Sequence, residues 1–305
     1  MEHRHDFAYV TLVMKGDYYI PGAIVLAQTL WETGTKLDLV CMVTRDVSDA
    51  GVQTLQLFFT RVCVVEYINA AYRPMFTRKQ NQKYASWMSQ SLTTFRCLGL
   101  QEYKKVCFID SDVAVLKNMD EIFELNAPAG TFDSYFRKSN VPPFYPCLTH
   151  GQVVPRRVIQ KALQSGQHVA IGNCMLLAPH GGDVMNEFET YVDEFKRLNH
   201  DMIGFTRNVS AINEQMITDF YTNHLKSDWT HIDLRFQCIP WKPLSFSPDP
   251  YLYHYFNVKP WSMNESDFQD LSVWWSAARR AVQRHDGFSQ FICLQTGKLA
   301  SAKNT

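Results

Sequence analysis

The stretch KKVCFIDSDVAVLKNMD, residues 104–120, decides the fold. It opens on the apolar run Val106-Cys107-Phe108-Ile109, long enough for a buried strand, and stops at Asp110-Ser111-Asp112. Apolar residues resume at Val113, Val115 and Leu116. Two carboxylates one residue apart at the edge of a buried strand are costly to bury without a partner. A hard divalent cation with oxygen ligands is the usual partner. Asp-x-Asp at a strand end therefore suggests a metal that in turn holds a diphosphate. The competing reading is a strand-end turn with solvated aspartates.

The residues before this stretch set its context. Phe7 to Met14 is β-branched and aromatic and reads as a first strand. Pro21-Gly22 leads into a helix-spaced run that Gly34 stops. Leu37 to Val43 is a second strand, Asp46-Val47-Ser48 precedes a helix through Leu57, and Val62 to Tyr67 is a third strand. Strand alternating with helix predicts a parallel sheet covered on both faces, and ligands of such sheets bind beyond the carboxyl ends of the strands. Neither a GxGxxG fingerprint nor a GxxxxGK[ST] phosphate loop is present.

Residues 70–90 are basic and poorly periodic and read as a loop; Ser91 to Gln101 reads as a helix entering the Asp-x-Asp strand. Residues 126–156 read as a long irregular section. Helices follow at 156–165, 183–198 and 211–225, a strand at Val169 to Ala178, and a last helix from Phe268 to Arg284. No linker divides the chain, so residues 1–295 read as one α/β domain and residues 296–305 as a disordered polar tail.

Composition narrows the function. The 305 residues are 46% hydrophobic and carry no formal net charge, which supports a large core and argues against a general nucleic-acid or membrane-surface binder. No run of 18 apolar residues and no signal-peptide apolar region is seen, so the expectation is a cytoplasmic protein without a membrane partner. The eight cysteines are scattered, with no Cys-x-x-Cys pair, as expected of buried thiols in a reducing compartment.

Four stretches, in order, resemble glycosyltransferase family 8, the group containing glycogenin and the plant galactinol synthases. They are YVTLVMKGDYYIPGAIVLAQTL (9–30), VCFIDSDVAVLKNMDEIF (106–123), NEQMITDFY (213–221) and YHYFNVKPW (253–261). APAGTF (127–132) and His150-Gly151 further resemble the branch found in large DNA viruses, notably baculoviruses, which implies a host-cell cytoplasmic setting. The family implies a GT-A fold: a Rossmann-like, mostly parallel sheet flanked by helices, with bound Mn²⁺ or Mg²⁺. It also implies retaining transfer of a hexose, glucose or galactose, from a UDP-sugar. The acceptor stays open among a protein, a polyol, a glycan and DNA, and a homodimer is consistent with the family.

The resemblance also assigns residues. Asp110, Asp112 and His254 match the metal ligands, and Lys259 matches a lysine that reaches the diphosphate. Leu12 and Tyr18 match positions that contact the uracil and ribose, and Thr11 and Ser111 belong to the same donor-binding stretches. Asn173 would supply a sugar-hydroxyl contact shifted by one position from the family's Asn-Ala-Gly, and Asn257 would preserve a turn where many members carry Gly. Glu214 and Gln215 match an acid-Gln pair near the transferred sugar; nucleophilic and front-side routes both remain open. Thr94 stands where the family usually has a phosphate-binding Lys, so Arg96, Lys83 or Arg78 would have to supply that charge. The same departure supports an alternative, a degenerate nucleotide-sugar binder with a regulatory or partner-binding role.

Overall fold

The computed structural model describes residues 5–72, 78–84, 86–132, 148–164, 171–179, 181–200, 202–203, 212–240, 249–256, 259–268 and 270–292. In chain order, β1 (Phe7–Val13) leads through a short 3-10 turn, Asp17–Tyr19, into α1 (Ile20–Glu32). Then come β2 (Asp38–Val43), α2 (Asp49–Leu55), β3 (Arg61–Val64), β4 (Ala71–Tyr72) and α3 (Arg78–Tyr84). A 3-10 helix, Met88–Gly99, enters β5 (Lys105–Ile109), followed by β6 (Val113–Val115), β7 (Ala129–Thr131), β8 (Val153–Val154) and α4 (Arg156–Gln164). The rest is β9 (Ile171–Leu177), α5 (Val184–Leu198), β10 (Met202–Ile203), α6 (Ile212–Asp219), β11 (Trp229–His231), β12 (Leu252–His254) and α7 (Leu271–Arg284).

Local chemistry explains several boundaries. Ser48 caps α2 by accepting the Gly51 N–H at 3.0 Å, and Asp183 caps α5 by accepting the Asn186 N–H at 3.2 Å. Gly34, at φ +84°, ends the turn after α1 in the left-handed region. The second helix is shorter than its periodicity suggests, and the segment expected as a loop at 70–90 contains β4 and α3. The helix expected over 91–101 is a 3-10 helix that begins at Met88, and α6 runs on into a π-helical turn, Phe220–His224. The irregular section at 126–156 contributes two short strands, β7 and β8.

The main sheet has eight strands in the order β3-β2-β1-β5-β9-β7-β11-β8. Strands β3, β2, β1 and β5 are parallel, as the alternating pattern predicts. β9 is antiparallel to both neighbours, β5 and β7, while β11 is parallel to β7 and β8 antiparallel to β11. β5 and β7 therefore run the same way. The carboxyl ends of β1, β2, β5, β7 and β11 and the amino end of β9 all meet at one edge.

Side chains alternate across the sheet. Tyr9 and Val13 face a core shared with α1 and α7; Ala8, Val10 and Leu12 face a second core under the 3-10 helix and α5. Burial on both faces is why these strands read as nearly unbroken apolar runs. No helix among the described residues is long and apolar enough to cross a membrane.

Candidate active site

The chain leaves β5 at Ile109 and turns through Asp110-Ser111-Asp112 into β6. β6 pairs antiparallel with β12, which sets His254 opposite Val113, and the Tyr255 N–H donates to the Asp112 carbonyl at 2.9 Å. This two-strand ribbon brings His254 to the acids across a large gap in sequence. His254 Nε2 lies 3.4 Å from Asp112 Oδ1 and 3.7 Å from Asp110 Oδ2. Ligand-capable atoms of the three residues lie within 4.8 Å of one another.

The two acids differ in environment. Asp112 and His254 are buried, while the Asp110 side chain is 38% exposed. Burial would raise the Asp112 carboxyl, but Lys259 and His254 beside it outweigh that and hold it well below the ordinary range. Asp110 is pushed up to about 7 by desolvation and by the neighbouring Asp112 charge. Glu214, in the first turn of α6, adds a smaller opposition to charge on Asp110. Glu214 itself is raised to about 7 by burial. Its Oε2 and the Oε1 of Gln215 are buried without a hydrogen-bond partner.

Lys259 packs behind Asp112. Its Nζ is ion-paired with Asp112 Oδ2 and donates to the carbonyls of Tyr255 at 3.3 Å and Phe256 at 3.2 Å. It also lies 5.6 Å from the centre of the Tyr19 ring. Burial would lower this ammonium, but Asp112 holds it above the usual lysine range.

Helix α1 forms the wall beside the acids. A Cβ added at Gly22 would lie 2.4 Å from the Ser111 carbonyl oxygen and 2.6 Å from the Trp261 ring. Only glycine lets the helix approach so closely. Trp261 meets Tyr18 and Tyr19 edge-on at 5.8 and 5.5 Å. The sequence reading uses Pro21-Gly22 only as a helix start, and it misses Gly22 as a contact. A glycine in a helical pattern is the one available signal of close packing.

The other expected residues are distributed as follows. Leu12 is buried on the α5 side of β1, and Thr11, also buried, keeps a hydroxyl with no hydrogen-bond partner. Tyr18 is 45% exposed at the rim. Ser111 is buried between the acids. Asn173 precedes Cys174, the residue paired with Ile109, so its backbone lies on the edge where Asp110 leaves β5. Asn257 lies outside the described residues, as does the side chain of Lys83.

Thr94 is buried on the 3-10 helix. Arg96 is committed elsewhere: its Nη1 pairs with Glu189 at 2.8 Å and its Nε donates to the Glu66 carbonyl at 2.9 Å. Arg78 is exposed on α3.

The loop between β1 and α1 is held by a polar cluster that the sequence reading does not anticipate. The Lys15 N–H, at φ +63°, donates to the Tyr67 hydroxyl at 3.1 Å, and Tyr67 donates to Asp46 at 2.9 Å. Asp17 accepts from the N–H and hydroxyl of Ser48.

Comparison with known proteins agrees with this architecture. Residues 10–141 match the profile of glycosyl transferase family 8. An uncharacterized protein of Acanthamoeba polyphaga mimivirus, R707, is 28% identical over 65% of this chain and 66% of its own length. Glycogenin-1 of Oryctolagus cuniculus is 32% identical over 39% of this chain, but the match spans only 34% of glycogenin-1. Among solved structures, an active-site mutant of LgtC superposes with a TM-score of 0.57 at 13% identity, covering 89% of this chain and 95% of LgtC. The bifunctional glycosyltransferase WbbM gives a TM-score of 0.58 at 13% identity over 95% of this chain and 52% of its own. Residues 10–141 are thus similar to glycosyltransferase family 8, parts of the chain are similar to glycogenin-1 and to a mimivirus protein, and the fold is similar to that of LgtC.

Proposed function

We propose that this protein is a metal-dependent retaining glycosyltransferase that moves a hexose, glucose or galactose, from a UDP-sugar to an acceptor. The observation that carries the reading is the convergence of Asp110, Asp112 and His254 at the carboxyl edge of the sheet, with Glu214 close enough to oppose charge on Asp110. The donor set fits a divalent ion: two carboxylates and one imidazole suit Mn²⁺ better than Ca²⁺, and Mg²⁺ remains compatible with the acids. Asp110, Asp112 and His254 would hold the metal, which when bound would supply Lewis-acid stabilisation of the charge on the departing UDP.

The chain's own groups account for the rest of the reading. Lys259 supplies a cation within reach of a diphosphate held at Asp112. Tyr18, exposed beside Trp261, offers an aromatic face for the nucleoside. Glu214 and Gln215 present buried oxygens without partners, which suits acceptance of hydrogen bonds from sugar hydroxyls. Burial keeps Glu214 reluctant to ionise near neutral pH, so it serves as a hydrogen-bonding or proton-holding group at least as readily as a standing charge.

Two observations favour a second reading, a binding protein with little transfer activity: Thr94 stands where the family usually has a lysine, and Arg96 is tied to Glu189. Two measurements separate the readings. Thermal unfolding is followed with UDP-glucose and UDP-galactose, with and without Mn²⁺, since a ligand of the native state raises apparent stability by mass action. UDP release is then measured under the same conditions. Mn²⁺-dependent stabilisation with UDP release supports the transferase; stabilisation without release supports the binder. Absence of Mn²⁺-dependent UDP-sugar binding rules out both.

A further inference from the structure

Lys259 has a complete set of partners before any ligand is considered. An ammonium has three N–H donors, and here the acceptors are one oxygen of Asp112 and the carbonyls of Tyr255 and Phe256. The side chain is 17% exposed, so these contacts are shielded from water and weakly screened. The partner acid is Asp112, one of the three grouped ligands, whose other oxygen faces His254. The same carboxylate is thus asked to neutralise Lys259 and to hold a divalent ion. A divalent ion balances Asp110 and Asp112 by itself and leaves the Lys259 charge in excess, within a few ångströms and in a partly dry site. A diphosphate removes the conflict, because it offers Lys259 an anionic partner other than Asp112.

We propose that Lys259 is an internal counter-ion that opposes cation binding until a diphosphate draws it from Asp112, so that metal and nucleotide bind this chain with positive coupling. The proposal rests on the metal and UDP-sugar reading above and deepens it: the lysine sets the order in which the site fills. Cation alone binds weakly, and nucleotide makes its binding tight. By linkage the cation strengthens nucleotide binding by the same factor. A residue that merely steadied Asp112 would behave in the opposite way, because its loss would loosen the metal whether or not nucleotide were present.

The test is calorimetric titration of Mn²⁺ into wild type, Lys259→Met and Lys259→Arg, each without UDP and with saturating UDP. Without UDP, Lys259→Met is expected to bind Mn²⁺ roughly tenfold tighter than wild type, the scale of removing one close like charge. Lys259→Arg keeps the charge and stays near wild type. With UDP the advantage of Lys259→Met disappears, and the coupling between Mn²⁺ and UDP falls by about the same factor. Removing the ammonium leaves Asp112 buried without its cationic partner, so Lys259→Met should melt below wild type. Mn²⁺ should then raise its melting temperature by more than it raises that of wild type, and Lys259→Gln should repeat the pattern. If both neutral variants bind Mn²⁺ no tighter than wild type without UDP, or gain no more stability from it, Lys259 positions Asp112 and the proposal is wrong. If wild type binds no Mn²⁺ with or without UDP, the underlying metal reading fails and the proposal falls with it.

Discussion

Asp110 and Asp112 follow a five-residue strand, β5, bonded on both sides within the main sheet. His254 ends a three-residue strand, β12, whose ladder partner is β6, with one further bridge from Tyr253 to Cys238. One half of the candidate metal group is fixed by the centre of the fold and the other half by a short ribbon on its edge. The difference teaches where precision is cheap. The acids inherit their placement from a sheet that must form anyway, whereas the imidazole depends on the pairing of two three-residue strands packed into the core.

Removing an acid tests the central half. Asp110→Asn or Asp112→Asn should weaken Mn²⁺-dependent UDP binding by at least about 100-fold, more than is typical of losing a group that only supports a ligand. Circular dichroism should show the fold intact, because Asp110 is partly exposed and both residues follow the strand rather than build it. Unchanged UDP affinity in both variants would remove the acids from the site.

Loosening the ribbon tests the other half. Leu252 is fully buried, at the opposite end of β12 from His254. Leu252→Ala should cost about 2–5 kcal/mol in denaturant unfolding. If the ribbon positions the imidazole, it should also weaken Mn²⁺ binding, although Leu252 is no ligand. Lost stability with unchanged metal affinity would mean that His254 is placed by something other than β12.

Gly22→Ala probes the wall that the two halves share. The added methyl would overlap the Ser111 carbonyl and the Trp261 ring, so unfolding free energy should fall by about 1–3 kcal/mol and UDP binding should weaken. A neutral result would show that α1 can move away from the acids at no cost.

The smallest effect concerns pH. The Glu214 carboxyl is raised from 4.5 to about 7 by burial, so between those values the folded state binds more protons than the unfolded state. Stability from this group must therefore fall as pH rises through that window. Glu214→Gln should flatten the decline and raise the melting temperature at pH 8 by about 1–3 °C relative to wild type. An unchanged pH profile would show that Glu214 ionises normally.

The same contrast explains what the sequence reveals. β1, β2 and β5 are legible because each is a contiguous apolar run, and Asp110 and Asp112 interrupt the pattern visibly. The reversed direction of β9 is not legible: a strand buried on both faces reads alike either way. β6 and β12 are too short for alternation to register. His254 and Lys259 are found only through family resemblance, since an isolated histidine among aromatics or a loop lysine carries no pattern of its own. Gly22 and the Lys15–Tyr67–Asp46 cluster depend on distances between separate segments, which composition and periodicity do not encode.

The β6–β12 ribbon also has a consequence for synthesis. As the chain emerges from the ribosome, the strands that present Asp110 and Asp112 are available early, and amino-terminal units generally fold first. His254, Lys259 and Trp261 arrive only after most of the remaining elements have been made. Through that interval β6 waits without its ladder partner, and the acids stand without the imidazole and ammonium that face them in the finished protein. The order of manufacture thus keeps the nascent scaffold from assembling this candidate metal group until residue 254 is in place.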